Sequence, residues 1–229
     1  MKKVVLGAVG VVVLLLGGFF GGRLAIEAVV HDYILAHPEI LPQAMENLAR
    51  KESAGRLSGV RGEIEKPFPG AVLGNPDGKV TLVEFTDFAC GYCRQSVADV
   101  EALIAANPDL KVVIRELPIL SPESAEAARW ALAAAEQGKY HAFHNAMYAA
   151  GQISPDTIQA AAAVAKLDLA RAKAAIADPR IEAELKRNYA MAQQLGFNGT
   201  PSWVVGDQVL SGAVGREKLG KAIEEARKS

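Results

Sequence analysis

The spacing of apolar and polar residues divides the chain into four stretches. Residues 4–22 hold 19 positions without a charge or a strong polar group. A helix of that length, rising about 1.5 Å per residue, matches the roughly 30 Å hydrocarbon core of a bilayer. Residues 24–51 carry a helical period instead. Ile26, Val29, Val30, Tyr33 and Ile34 recur at one spacing, and Leu41, Met45 and Leu48 continue it. Pro38 and Pro42 suit first-turn positions, so two short helices are predicted here. Their apolar stripe is too small to form its own core. Its expected partner is a second copy of itself, with the chain's main domain or a membrane surface as alternatives.

Residues 52–70 are rich in Gly, Ser and charge and end in Lys66-Pro67-Phe68-Pro69-Gly70, which reads as a linker. A folded domain is predicted over 71–229. Its first confident strand opens at Val80 and runs to Phe85, and residues 110–117 form a second. A helix between them, to about Ala106, makes a βαβ unit with parallel strands. From about 121 to 195 the chain is alanine-rich and helical, with Ser121-Pro122, Ser154-Pro155 and Asp178-Pro179 as helix starts. The pattern then returns to β. Ser202-Trp203-Val204-Val205 and Gln208-Val209-Leu210 flank Gly206-Asp207, a hairpin signal, and a last helix covers 217–227.

Two lysines precede the apolar run 4–22, which places the N-terminus in the cytoplasm and the body outside it. Gly21-Gly22-Arg23-Leu24-Ala25 lacks a clean small-x-small cleavage site, so 1–23 is expected to be an uncleaved signal anchor rather than a removed signal peptide. Lys2, Lys3 and Arg23 are the only charges in that segment, leaving 22 basic and 26 acidic residues beyond it, a net of −4. A mildly acidic exported domain follows, without a polybasic patch for membrane or nucleic acid.

The whole chain of 229 residues has two cysteines. That excludes a disulfide-stapled scaffold and a four-thiolate zinc site. Cys90-Gly91-Tyr92-Cys93 falls at the predicted mouth of the helix after the first strand. Unpaired N–H groups and the helix dipole favour a thiolate at such a position. Cys93, one turn later, lies on the same face and can attack a mixed disulfide formed at Cys90. A structural disulfide, or half of a metal site, would use the same spacing. His141 and His144 share a helix face and are expected to be surface residues rather than metal ligands.

The segment Val83-Glu84-Phe85-Thr86-Asp87-Phe88-Ala89-Cys90-Gly91-Tyr92-Cys93 resembles the active-site segment of the DsbA-like thiol–disulfide oxidoreductases. The resemblance continues through Glu116-Leu117-Pro118-Ile119-Leu120, Gly138-Lys139-Tyr140-His141-Ala142-Phe143-His144 and Gly199-Thr200-Pro201-Ser202-Trp203, over about 70–229. It implies an α/β thioredoxin fold with an inserted helical domain at about 121–195. It also implies that Cys90 and Cys93 are the redox pair and Glu84 the buried acid that handles the proton of Cys93. Thr200-Pro201 is then the cis-proline loop that presents backbone to substrate, and Gly91-Tyr92 the dipeptide that tunes the thiolate. Residues 24–51 resemble the N-terminal extension of the suppressor-of-copper-sensitivity relatives, some of which assemble through it.

The expected function is disulfide exchange in exported proteins on the outer side of the inner membrane. No cofactor or metal is expected beyond the Cys90–Cys93 disulfide itself. A membrane redox partner would reset it. Gly91-Tyr92 contains no histidine, and with Thr200 it resembles disulfide isomerases more than the oxidase prototype. Isomerase or mixed activity is therefore expected ahead of a DsbA-type dithiol oxidase. A copper-handling protein, holding Cu(I) between the two thiolates, is the alternative of another class.

Overall fold

A computed structural model describes residues 26–228, so the expected leader over 1–23 lies outside the described residues. The chain divides into two units at Ala49 and Arg50. Helix α1 covers 26–36 in the first unit, and α2, Ile40–Ser58, starts there after a turn at Pro38 and has its residues from Arg50 onward in the second unit. Ile26, Val29, Tyr33, Leu41, Met45 and Leu48 of the first unit are all exposed. Among the described residues no helix is long and apolar enough to cross a membrane.

The second unit is built on five strands: β1 (Val72–Gly74), β2 (Val80–Thr86), β3 (Leu110–Glu116), β4 (Ser202–Val205) and β5 (Gln208–Ser211). They lie in the order β1-β3-β2-β4-β5, with β2 and β3 parallel and the other neighbours antiparallel. Helix α4, Gly91–Ala106, makes the parallel crossover. β2 is buried along almost its whole length because the sheet is covered on both faces. On one face Leu82, Val112 and Ile114 pack with Val100 and Leu103 of α4 and with Leu219 and Ile223 of the C-terminal helix, α10 (Gly215–Ala226). On the other, Val83, Phe85 and Val113 pack with Leu57 of α2, Ile64 of α3 (Arg61–Ile64) and Leu195 of α9 (Pro179–Leu195).

Between β3 and β4 lie five helices: α5 (Pro122–Ala135), α6 (Tyr140–Ala150), α7 (Pro155–Val164), α8 (Leu169–Ala177) and α9. Their starts follow from local chemistry. The Ser121 hydroxyl accepts the Ser124 N–H, and Ser154 and Thr157 form a reciprocal capping box. The Asp178 carboxylate accepts the Arg180 N–H at 2.8 Å, and α9 stops at Gly196, whose φ of +75° is left-handed. The last turn of α5 is enclosed on every side, since 131–135 are all buried.

The stretch 52–70 corrects the expectation of a linker. Its first seven residues continue α2, α3 follows, and Leu57, Val60, Ile64 and Phe68 are buried. Their spacing of three and four residues is a helical stripe that the surrounding glycines and charges conceal. Strand β1 was not expected either, because three residues carry no alternation.

Close packing fixes Gly70. Its φ is +83°, and a Cβ there would lie 2.1 Å from the Ala135 carbonyl oxygen. Gly70→Ala is expected to cost at least about 2 kcal/mol, from the left-handed backbone alone before the clash is relieved. A lower urea midpoint at unchanged m-value would show it; an unchanged midpoint would refute it.

Candidate active site

β2 ends at Thr86, and Asp87 builds the turn into α4. Its carboxylate accepts the N–H of Ala89 at 2.8 Å and the N–H groups of Ile119 and Leu120 at 2.9 Å each. Its carbonyl accepts the Cys90 N–H at 2.9 Å and the Tyr148 hydroxyl at 3.2 Å. One buried acid therefore fastens the loop after β3 to the loop that carries the first cysteine.

Cys90 is the N-cap of α4, and its sulfur accepts the Cys93 N–H at 3.4 Å. On its other side the Cys90 thiol donates to the Thr200 carbonyl at 3.2 Å. That carbonyl belongs to the Thr200–Pro201 peptide bond, which is cis. Both thiols are free, and Cys93 lies behind Cys90 with 1% of its surface exposed. Gly91 is exposed between them, and so is Tyr92.

Beneath the sulfurs lies a buried polar layer. Glu84 and Thr86 alternate with Phe85 on β2, so both face α4 and α6. Thr86 is in register with Glu116 of β3, on the same face. The Thr86 and Tyr148 hydroxyls are 2.6 Å apart, and the Tyr140 hydroxyl donates to Glu116 Oε1 at 2.6 Å. His144 lies between the two tyrosine rings, with centroids 5.6 Å and 4.9 Å away.

Burial decides the charges here. It raises Glu84 from the usual carboxylate range to about 8, with the Thr86 hydroxyl pulling partly against it. It also pushes the Cys93 thiol far up, and the Glu84 charge pushes it further. Glu84 and Cys93 thus resist carrying charge together. Glu84 is thus an acid–base group with its pKa near the working pH. His144 is lowered by burial to about 4 and stands neutral.

Residues 81–224 match the family described as DSBA-like thioredoxin domain. The chain belongs to this family. The DsbA-like domain brings the thioredoxin fold. Residues 23–54 match a second description, the copper resistance protein ScsC N-terminal domain. Among solved structures, a thioredoxin-like oxidoreductase from Silicibacter pomeroyi is 44% identical, covering 69% of this chain and 92% of its own, at a TM-score of 0.66. ScsC of Proteus mirabilis in a transitional conformation is 27% identical over 89% of this chain and 94% of its own, at 0.70. An Na(+)/H(+) antiporter, NhaA 3 of Salinispora tropica, is 31% identical over 158 residues, which is 68% of this chain and 24% of the antiporter. The chain therefore spans about a quarter of the length of the curated relatives it matches.

The DsbA-like fold brings together the residues that the sequence singled out. Cys90 meets Thr200, and Cys93 lies close enough to Glu84 for their charges to interact. His144 corrects an expectation: it is 2% exposed, a core residue of α6, whereas His141 is at the surface against Glu101. Asp87, Glu116, Tyr140 and Tyr148 were not singled out for roles. The spacing Tyr140, His144, Tyr148 is a one-face helical period and signals a buried polar stripe.

Glu84 makes stability depend on pH with a definite sign. Its folded pKa is raised, so the folded state holds a proton that the unfolded chain releases near 4.5. Stability is then full below about 4.5 and falls as pH rises toward 8. Glu84→Gln removes that fall. The variant is expected to gain on the wild type by on the order of 3–5 kcal/mol between pH 4.5 and pH 8, in urea titrations of the reduced proteins. A constant difference across that range would contradict the placement of the acid.

Proposed function

We propose that this chain is an exported thiol–disulfide oxidoreductase that rearranges disulfides in other exported proteins, as an isomerase or with mixed activity. The observation that carries the reading is Cys90 at the helix mouth, with Cys93 buried behind it and the Thr200 carbonyl 3.2 Å from its sulfur. The Cys90 thiolate attacks one sulfur of a substrate disulfide. A Cys90–substrate disulfide forms, and the other substrate sulfur leaves as a thiolate that takes up a proton. Glu84 then accepts the proton of Cys93, whose sulfur attacks Cys90 and releases the second substrate thiolate. The substrate gains two electrons and the Cys90–Cys93 disulfide forms. In isomerisation a thiolate of the substrate itself attacks the mixed disulfide, which returns Cys90 without net oxidation. The Thr200–Pro201 loop would hold the substrate backbone beside the sulfurs.

Three features favour isomerase or mixed activity over a DsbA-type oxidase. Gly91 and Tyr92 offer no histidine to stabilise a thiolate, and a threonine precedes Pro201. The exposed apolar stripe of the first unit, within a segment similar to the ScsC N-terminal domain, suits assembly of several copies. Several active sites would then face one substrate. The leader over 1–23 would hold the protein on the outer side of the membrane, near the partner that resets its redox state. The expected result is an oligomer in solution with a reduction potential nearer about −180 mV than about −120 mV. A monomer near about −120 mV would leave the oxidase as the better reading.

A further inference from the structure

Glu116 is the buried group for which the exchange reaction above has no use. It is fully buried at the end of β3. The Tyr140 hydroxyl donates to its Oε1, while its Oε2 has no hydrogen-bond partner among the described residues. That asymmetry fixes its protonation. A carboxylate would leave a buried charged oxygen without a donor, which is far more costly than a neutral acid. Burial, reinforced by the nearby charges of Asp87 and Glu84, keeps the carboxyl well above the ordinary range. With Oε1 occupied as an acceptor, the proton sits on Oε2. The result is a spare O–H donor in the protein interior.

Its surroundings show where that donor is useful. Glu116 pairs with Thr86 across the parallel ladder, so Glu84 is the diagonal neighbour on the same face, about 8 Å away at the backbone. Cys93 faces the layer from α4, and Tyr140, His144 and Tyr148 face it from α6. His144 is neutral, and the tyrosines are held protonated by burial. Among the described residues, none of the side chains acting on Glu84 or Cys93 is a cation. A neutral acid polarised by Tyr140 supplies a dipole in its place.

We propose that Glu116 is a positioning residue for the second half of the reaction: its protonated carboxyl, set by Tyr140, stabilises the negative charge shared by Glu84 and Cys93 while Cys93 attacks. This rests on the exchange reading above in its use of Cys93 as the resolving thiol and of Glu84 as the acceptor of its proton.

An aromatic disulfide that releases a coloured thiolate separates the two halves. Cys90 attack releases the first equivalent, and Cys93 attack on the mixed disulfide releases the second. Glu116→Leu is expected to slow the second phase at pH 7 by about tenfold, the change that a rise of about one pKa unit in the group losing its proton would give, and to move its pH profile to the alkaline side. The first phase is expected to stay as in the wild type. Glu116→Gln keeps both an N–H donor and an acceptor for Tyr140, and is expected to stay within about threefold. A Glu116→Leu profile that superimposes on the wild type, or equal slowing of both phases, would overturn the proposal. So would a Glu116→Gln variant as slow as the leucine. If Glu116→Leu does not fold, Tyr140→Phe reads the same quantity: an alkaline shift of the second phase supports the proposal, and an unshifted profile overturns it. Absence of the first phase would instead count against the exchange reading itself.

Discussion

Cys90→Ser is expected to reduce insulin reduction and the refolding of scrambled ribonuclease to the uncatalysed background, a loss of at least about 10³-fold. The size follows from the chemistry of the attacking atom. Exchange needs a thiolate to displace a sulfur, and a serine hydroxyl at neutral pH supplies neither the anion nor the nucleophilicity. No other thiol can substitute, because the chain has two cysteines and the second has 1% of its surface exposed. Cys93→Ser should behave differently. Cys90 remains at the helix mouth and still attacks, but the intramolecular attack that releases the adduct is gone. Substrate-linked protein should accumulate, visible as a heavier band without reductant and as an adduct mass on the peptide carrying Cys90. Exchange by the Cys90 variant above background, or wild-type turnover without adducts in the Cys93 variant, would sink the assignment of roles.

The parts of this site that are legible in the sequence are local ones. A cysteine pair three apart after an apolar strand, the Ser-Pro helix starts and the Gly206-Asp207 turn each act within a few residues. Their physics is therefore complete in the string. The resemblance adds Glu84 and Thr200-Pro201, because separated blocks occur in the family order. What escaped depends on contacts between distant residues. Asp87 is an ordinary turn residue until the Ile119 and Leu120 N–H groups arrive on its carboxylate. Glu116 looks like a strand-end surface charge, and only the register with Thr86 puts it into the layer under the sulfurs. His144 shares a helix face with His141 on spacing alone, yet the tyrosines of its own helix and Phe88 enclose its ring. The stretch 52–70 hides its helices for the opposite reason, since its composition outweighs a sparse stripe of four apolar residues.

That stretch also carries the second large effect. Arg115 neighbours Glu116 in β3 but points to the other face, where its guanidinium is 1% exposed. Nη1 donates to Glu184 Oε1 at 2.7 Å and to Asn188 Oδ1 at 3.2 Å, both on α9. Nε and Nη2 donate to the Ile64 carbonyl at 3.2 Å and 3.0 Å, and Nη2 also donates to the carbonyls of Lys66, at 2.6 Å, and Glu63. One side chain thus ties the end of α3 and the residues just after it to the sheet and to α9. Arg115→Met should fill much of the volume while leaving Glu184 buried without its main partner and three carbonyls without this donor. Breaking a buried pair in this way costs about 3–5 kcal/mol, or on the order of 10 °C in Tm. Amide exchange should quicken first around 63–66. Adding Glu184→Leu removes the stranded acid but not the stranded carbonyls. The double variant should therefore recover only part of the loss. Full recovery would reduce Arg115 to a counter-ion for Glu184. An undiminished Tm in Arg115→Met would mean that the apolar stripe from Leu57 to Phe68 holds the segment without it.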